Sequence, residues 1–277
     1  MGMRVTTNLA AINAQRNLVG SQRAINKSMA QLASGSRINI AADDAAGLAI
    51  SERLKAGIRS ARQANRNAND GISMVQTAEG GLNEIGNIIT RLRELGIQAA
   101  SDTVGDTERG FLDKEVQQLK AEAQRISVTT AWGKTKLLDG SSPVFDFQIG
   151  LYNNPEEDRI SFDSSTNNAS LDALGLTDVD YTTKEGAQTA LSQLDDAQTL
   201  VNGSRANLGA LQNRLSSTVD NLAVYEENMS AANSRIRDTD VAQASSEMTR
   251  NNILLQAGTA TLAQANQVNQ LALKLIA

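Results

Sequence analysis

The side chains that usually carry catalysis are few in this sequence. Asp43 and Asp44 form an adjacent pair of carboxylates, one arrangement that general acid–base chemistry can use. Adjacent helical residues point in different directions, however, and both aspartates stand where a helix is predicted to begin, so capping explains them better. Asp238 and Asp240, before the last predicted helix, have the same interpretation. The chain has no histidine and no cysteine, which removes the usual general base and thiolate chemistry.

One short motif imitates a ligand site. Residues 133–135 (GKT) resemble the end of a phosphate-binding loop, but Val128 stands where that loop requires glycine. We therefore expect no catalytic, cofactor-binding or metal-binding residues, and no enzyme activity.

Composition restricts the remaining classes. The 277 residues carry a net charge of −5 with acids and bases interleaved, so we expect neither nucleic acid nor a membrane surface as a partner. The basic residues Arg59, Arg62 and Arg66 share one helix face, and we expect them to meet acidic groups on a neighbouring helix. No apolar run is long enough for a membrane span, and the N-terminus lacks a Sec-type signal pattern. Aromatic residues make up only 3% of the chain and prolines number two, which favours long helices over a globule with a deep pocket.

Three rods with coiled-coil spacing are predicted in the middle of the chain, together with a helix over residues 45–68. Asp106 is the predicted N-cap of the second rod, and Thr182 with Glu185 predicts a capping box before the third. The apolar positions are Val75, Ala78, Leu82, Ile85, Ile89, Leu92, Gly96 and Ala99 in the first rod; Leu112, Val116, Leu119, Ala123 and Ile126 in the second; and Leu194, Val201, Leu208, Leu215, Leu222, Met229 and Ile236 in the third.

Residues 133–181 interrupt the helical pattern. Alternation of apolar and polar residues over 145–149 and 160–162, with a loop at 153–156, predicts a β-hairpin. We expect this small sheet to cover one end of the helical bundle. The predicted fold is mainly α: an elongated antiparallel coiled-coil bundle with a small β-hairpin insert and paired N- and C-terminal helices.

Both chain ends are predicted to be helical but too thinly apolar to fold alone, because so few aliphatic groups cannot offset the entropy of ordering each segment. Folding coupled to assembly is therefore expected. We predict a terminal coiled-coil domain of residues 1–44 and 238–277 and a rod domain of residues 45–237. The predicted subunit-interface residues are Leu9, Ile12, Ile25, Met29, Leu32, Leu254, Leu262, Val268, Leu271 and Leu275.

Several segments at both ends resemble bacterial flagellin, in family order. They are residues 32–39 (LASGSRIN), 42–50 (ADDAAGLAI) and 65–73 (NRNANDGIS) near the start, and 256–259 (QAGT) and 262–267 (LAQANQ) near the end. The chain is similar to a short form of the family without variable outer domains.

This resemblance implies a structural subunit of the bacterial flagellar filament, which polymerises with other flagellin copies into a tubular, extracellular filament for swimming. It also implies that the chain leaves the cell unfolded through type III export. The partners it implies are an export chaperone, a filament cap and the hook–filament junction proteins.

The resemblance further implies a surface for the vertebrate Toll-like flagellin receptor. Residues 91–95 (RLREL) match that surface, with Thr90 where glutamine is common. Its candidate residues are Arg91, Leu95 and Glu115, for which packing within a protofilament is the alternative role.

Two other functions stay open at this point. A hook–filament junction protein has a related shape but does not polymerise indefinitely, and the strength of the motifs at 37–50 and 256–267 favours flagellin over it. A cytosolic coiled-coil adaptor is the third possibility, against which the export-type termini argue.

Overall fold

The computed structural model describes residues 7–141 and 144–276, with side chains described up to residue 267. The mainly α fold class is confirmed. Its elements are the helices α1 (Leu9–Ser34), α2 (Ala45–Ala99), α3 (Asp106–Thr129), α4 (Lys184–Arg237) and α5 (Val241–Ile276), the strands β1 (Ala131–Trp132), β2 (Thr135–Lys136), β3 (Phe145–Gln148) and β4 (Arg159–Phe162), and a short 3₁₀ helix, Ser165–Asn167.

These elements form two compact units. Residues up to 58 and from 228 onward make the terminal unit, and residues 59–227 make the middle unit. The helices α2 and α4 contribute residues to both. The predicted domain boundaries at 44/45 and 237/238 stay a prediction.

Helix α2 is a single helix of 55 residues, whereas the sequence predicts two. The predicted helix over residues 45–68 and the first predicted rod, from Val75, are joined through residues 69–74, where Gly71 has a low intrinsic helix propensity. In the structure Phe147 lies against this glycine: a Cβ added there would come within 3.2 Å of its ring. Tertiary packing therefore stabilises the helix at a residue of low intrinsic helix propensity.

Helices α2 and α4 run antiparallel in the middle unit. Arg62 pairs with Glu226 at 2.6 Å, and Arg93 pairs with Asp195 at 2.8 Å, so the order of contacts reverses along the two helices. The expected acidic partner is thus confirmed for Arg62. Arg66 instead donates to Gln63 of its own helix.

The predicted heptad positions build the core of the middle unit. All positions of the first rod are buried, and so are the first four of the third. In α3, Val116 and Ala123 are buried and the other three positions are half-buried. Met229 and Ile236, which lie in the terminal unit, are also half-buried. The three- and four-residue spacing therefore predicted the core correctly.

Two helix starts differ from the sequence prediction by one residue. Gly105, with extended backbone, precedes α3, and Asp106 is the first helical residue. Before α4 the capping hydroxyl belongs to Thr183, whose Oγ1 accepts from the backbone N–H of Gly186 at 3.1 Å. Thr182 instead donates its hydroxyl proton to Asp180.

Strands β3 and β4 form the predicted hairpin, with Phe145 opposite Phe162. Because Phe147 lies against Gly71, in the interior of α2, this sheet packs on the side of that helix, and its covering one end of the helical bundle stays a prediction. A second hairpin, β1–β2, was not predicted. The segment at 133–135 that resembles the end of a phosphate-binding loop lies at the turn of this second hairpin, where Gly133 has a φ of 63°. These residues turn a hairpin and do not precede a helix, as a phosphate-binding loop would.

Candidate functional site: the paired terminal helices

Helices α1 and α5 pack against each other through a narrow seam. On each helix the less exposed residues recur at alternating intervals of three and four, which is coiled-coil spacing. The seam comprises Ala11, Ala14, Leu18, Ser21, Ile25, Ser28 and Leu32 of α1, and Ala244, Met248, Asn251, Leu255, Gly258, Leu262 and Ala265 of α5.

The two helices are antiparallel. At the start of α1, Asn8 donates its side-chain amide to the carbonyl oxygen of Ala265 at 3.0 Å, while its Oδ1 caps the helix by accepting from the N–H of Ala11. Farther along, Leu18 lies so close to Gly258 that a Cβ added to the glycine would be 2.7 Å from Leu18 Cδ2. Small residues in the seam therefore permit close approach of the two helices.

This close packing buries little apolar surface. Among the residues whose side chains are described, the fully buried apolar ones of the terminal unit are Ile25, Ile38, Ile58 and Ala244, whereas the middle unit holds all the others. Since hydrophobic stabilisation scales with the apolar area buried, the terminal unit gains far less from its own core than the middle unit does.

A second set of aliphatic side chains lies outside the seam and faces solvent. Leu9 is 63% exposed, and Ile12 and Val19 follow it at intervals of three and seven, which places the three on one face of α1. On α5, Ile253 and Leu254 are exposed beside the seam residue Leu255. We call these five exposed side chains, together with Met29, the outer face.

The predicted interface residues divide between the two surfaces. Leu9, Ile12, Met29 and Leu254 belong to the outer face. Leu32 and Leu262 are half-buried in the seam, and Ile25, at 6% exposed, is buried there. For Ile25 the expectation of a contact with another chain is corrected, because the partner helix of the same chain covers it. The remaining predictions, Val268, Leu271 and Leu275, fall where side chains are not described.

Ile253 was not predicted as a site residue. Periodicity could have indicated it, because residues 253–255 are three consecutive aliphatic residues and a narrow seam accommodates only one of them. Ile40, Ile50 and Val241 of the same unit are likewise exposed and were not predicted. Ile40 lies in the connection between α1 and α2, Val241 begins α5, and Ile50 lies in the second turn of α2.

The aspartates singled out for possible chemistry hold backbone turns. Asp44 Oδ1 accepts from the N–H of Gly47 at 2.8 Å and caps α2. Asp43 accepts from the N–H groups of Asn39 and Ile40 and pairs with Lys27 at 2.9 Å. The hydrogen bond from Lys27, followed by those two backbone bonds, lowers the pKa of Asp43 below its usual value. Both carboxylates are therefore engaged as structural acceptors.

Asp240 has the same function at the start of α5, where its Oδ1 accepts from the N–H groups of Ala242 and Gln243. Over residues 7–141 and 144–276, acidic side chains do not gather into a group that could hold a metal ion. Within the same ranges, no helix has the length and apolarity that a membrane span needs.

The candidate receptor residues belong to the middle unit. Arg91 is exposed and pairs with Glu115 of α3 at 2.9 Å and with Glu94 of its own helix at the same distance. These bonds, with Glu94 contributing most, raise the pKa of the Arg91 guanidinium. Leu95 is only 2% exposed and packs in the core, which corrects its assignment to a surface. The structure brings Arg91 and Glu115 together at the surface, whereas Leu95 is buried in the core.

Comparison with protein families gives two matches that together span most of the chain. The model for the bacterial flagellin N-terminal helical region matches residues 5–143, and that for the C-terminal helical region matches residues 191–276. These ranges contain both terminal helices and most of the middle unit.

Curated relatives align over nearly the whole chain. A flagellin of Halalkalibacterium halodurans is 44% identical over 276 residues, covering 99% of this chain and 100% of that protein. A flagellar filament core protein of Brachyspira hyodysenteriae is 40% identical over 287 residues, with the same coverage. A flagellin of Bacillus subtilis is 39% identical over 308 residues, again with that coverage.

Solved structures show the same fold. The crystal structure of Bacillus cereus flagellin superposes with a TM-score of 0.50 at 29% identity, covering 61% of this chain and 94% of that one. A flagellar hook-associated protein of Vibrio parahaemolyticus has a TM-score of 0.58 at 13% identity, covering 71% of this chain and 100% of that one. At that low identity the second likeness concerns the fold alone.

Proposed function

This chain belongs to the bacterial flagellin family and is a structural subunit of the flagellar filament, and we propose that the outer face of α1 and α5 makes its contacts with neighbouring subunits. The occupant of that face is a second copy of this chain.

The observation that carries the proposal is the contrast between the two units. The terminal unit has few buried apolar residues of its own and displays Leu9, Ile12, Val19, Ile253 and Leu254 to solvent. Large exposed apolar faces on soluble proteins mark interaction sites. Packing against sister chains would bury these groups and add the hydrophobic stabilisation that the narrow seam lacks.

Substitution of one outer-face residue tests this. We expect Leu254→Asp to abolish polymerisation while leaving the middle unit folded, because a carboxylate would be desolvated against apolar groups of the next subunit. The matched control is Leu200→Asp, since Leu200 of α4 is similarly exposed (55% against 51%) but belongs to the middle unit. Sedimentation and electron microscopy of purified protein give the readout. Normal filaments from Leu254→Asp, or equal loss in the control, would contradict the proposal.

Export and assembly partners form a second part of the proposal. The chain leaves the cell unfolded through type III export, with a chaperone on its C-terminal segment, and adds to the filament between the junction proteins and the distal cap. A thin terminal core supports this, because segments with little buried apolar surface unfold at low cost. The absence of cysteine also suits passage through a narrow channel. Detection of the protein in sheared filaments, and its loss from them in an export-deficient strain, tests this part.

Recognition by the Toll-like flagellin receptor is proposed for Arg91 and Glu115 alone. Both side chains are exposed and adjacent, so a partner can reach them together. Arg91→Ala should then weaken binding of the monomer to the receptor, whereas Arg125→Ala, which removes a similarly exposed arginine of α3, should not.

The hook–filament junction alternative is less well supported. Both family models and the aligned relatives are flagellins or filament core proteins, and the likeness to a hook-associated protein concerns the fold alone.

A further inference from the structure

The chain crosses itself where it leaves the terminal helices. Residues 35–37, which follow α1, lie beside residues 236–239, which end α4 and lead into α5. Ser36 and Asp238 form an isolated antiparallel β-bridge. The N–H of Thr239 donates to Gly35 O at 2.9 Å, and the N–H of Arg37 donates to Arg237 O at 2.6 Å. Two segments some 200 positions apart in sequence are thereby joined by backbone bonds.

Arg37 adds a side-chain bond to this crossing. Its Nη2 donates to the carbonyl oxygen of Ile236 at 2.8 Å. The last carbonyl oxygens of a helix receive no hydrogen bond from an N–H of the same helix. A basic side chain near the C-terminus can donate to them, and its positive charge interacts favourably with the helix dipole. Helix α4 thus receives its C-terminal cap from the opposite end of the chain.

The same residue is tied to α1. Its carbonyl oxygen accepts from Gln31 Nε2 at 2.9 Å, within the last turn of that helix. Gly35 ends α1 with a φ of 68°, a left-handed conformation that favours glycine and turns the chain toward the crossing. On the other side of the crossing, Asp240 caps α5. Short connections therefore link Arg37 to the ends of both seam helices.

We propose that Arg37 is a positioning residue that sets the register of α1 against α5. The seam alone specifies register weakly, because seven of its fourteen residues are Ala, Ser or Gly and offer little side-chain surface for interlocking. Anchoring Arg37 to Ile236 and Arg237 fixes where α1 ends relative to where α5 begins. This inference rests on the proposed function in so far as the register decides how the two helices present the outer face to another subunit.

The absence of natural cysteine makes disulfide trapping a direct measure of register. The in-register pair is Leu18→Cys with Gly258→Cys, whose positions are in contact. The out-of-register pair is Leu18→Cys with Leu262→Cys, one helical turn farther along α5. Oxidation is carried out both in dilute solution and in sedimented protein, and cross-linked chains are separated by electrophoresis.

Each cysteine pair is combined with Arg37→Met, which keeps the aliphatic stem and removes the donor, and with Arg37→Lys, which restores a positive donor. The matched control is Arg23→Met on α1, because the Arg23 guanidinium makes no hydrogen bond or ion pair with the described residues. Thermal unfolding of the middle unit is followed in parallel and should not change.

We expect Arg37→Met to lower the ratio of in-register to out-of-register cross-links by about tenfold or more, as loss of one charge-assisted hydrogen bond would. Arg37→Lys should recover most of that ratio, and Arg23→Met should leave it unchanged. An unchanged ratio in Arg37→Met, or an equal fall in Arg23→Met, overturns the inference. Failure of the proposed function is distinguishable, since it would appear as normal filaments from Leu254→Asp, whatever the cross-link ratio of the Arg37 variants.

Discussion

The hydroxyl of Tyr181 donates a 2.8 Å hydrogen bond to the carbonyl oxygen of Leu92. Tyr181 precedes α4, is fully buried, and lies against Gly96, so it fastens the segment after the hairpin to α2. Burial, with a smaller contribution from the charge of Asp113, raises the pKa of the phenol to about 12. The fold of the middle unit therefore depends on this tyrosine being protonated.

Tyr181→Phe should change the sign of its effect with pH. At pH 7 the variant loses a buried hydrogen bond and should be about 1 kcal/mol less stable. A phenol whose folded-state pKa lies above its unfolded value contributes stability that is complete below pH 10 and is lost as pH rises toward 12. By pH 12 the wild type should have lost about 2 kcal/mol that the variant does not lose. Urea denaturation at both pH values measures this, and a variant that remains the less stable at pH 12 would exclude the linkage.

Lys120 should show the opposite pH dependence. Its Nζ donates to the carbonyl oxygens of Thr177 and Val179 at 2.8 and 2.9 Å, and desolvation lowers its pKa below 10.5 despite three nearby aspartates. Since the unfolded chain then holds more protons than the folded one, the contribution of Lys120 to stability rises as the pH increases toward 10.5. Lys120→Met should cost about 1–3 kcal/mol at pH 7.

The stability gap between wild type and Lys120→Met should therefore widen as the pH rises from 7 toward 10.5. Chemical denaturation at a series of pH values measures the gap. Lys114→Met, at an exposed position of the same helix, serves as the control for removal of a surface lysine. A gap for Lys120 that narrows with pH would contradict the assignment.

Two adjacent glycines of α2 should respond oppositely to alanine. A Cβ on Gly81 would lie 2.6 Å from Thr130 Oγ1 and 2.7 Å from Leu138 Cδ1, so Gly81→Ala should destabilise by about 1–3 kcal/mol through overpacking. Gly80 has open space around it, and Gly80→Ala should stabilise by about 0.5–1 kcal/mol because alanine favours the helix. Thermal unfolding of both variants provides the test, and changes of the same sign would refute the close packing of Thr130 and Leu138 against α2.

A fragment of residues 45–237 should fold as a soluble monomer and should not polymerise. It keeps the middle unit, which holds nearly all of the buried apolar residues, and bonds that join the ends of α2 and α4, such as that from Ser51 to Asn233 at 2.9 Å. Analytical ultracentrifugation and circular dichroism during heating measure size and cooperativity. Aggregation, or unfolding without a cooperative transition, would mean that the terminal helices are needed for the fold.

Much of the middle unit could be predicted because its pattern repeats. Leu194, Val201, Leu208 and Leu215 recur every seven residues, and a helix places such residues along one stripe wherever its partners lie. All four are buried. The helix starts at Gly105 and Thr183 were missed by one residue, because a capping hydroxyl or carboxylate is available at neighbouring positions and only backbone geometry selects one of them.

The burial of individual residues was harder to predict from the sequence. Leu95 is one of two leucines in the segment that resembles the receptor surface, and adjacency in sequence does not say which side of a helix meets the core. Ile25 and Leu9 likewise belong to the same thin stripe when read from the sequence. They separate into seam and outer face only when α5 covers one of them.

The amino-acid sequence by itself determined the helical class, the heptad cores, and the hairpin of β3 and β4, because each depends on local periodicity. It also determined the flagellin family, because the family motifs are short contiguous segments of the sequence. Only the tertiary structure decided which aliphatic residues of the termini pair within the chain and which remain exposed. It also decided that Arg37 caps α4. These outcomes depend on segments about 200 residues apart, whose mutual register a thin and small-sided apolar pattern does not specify.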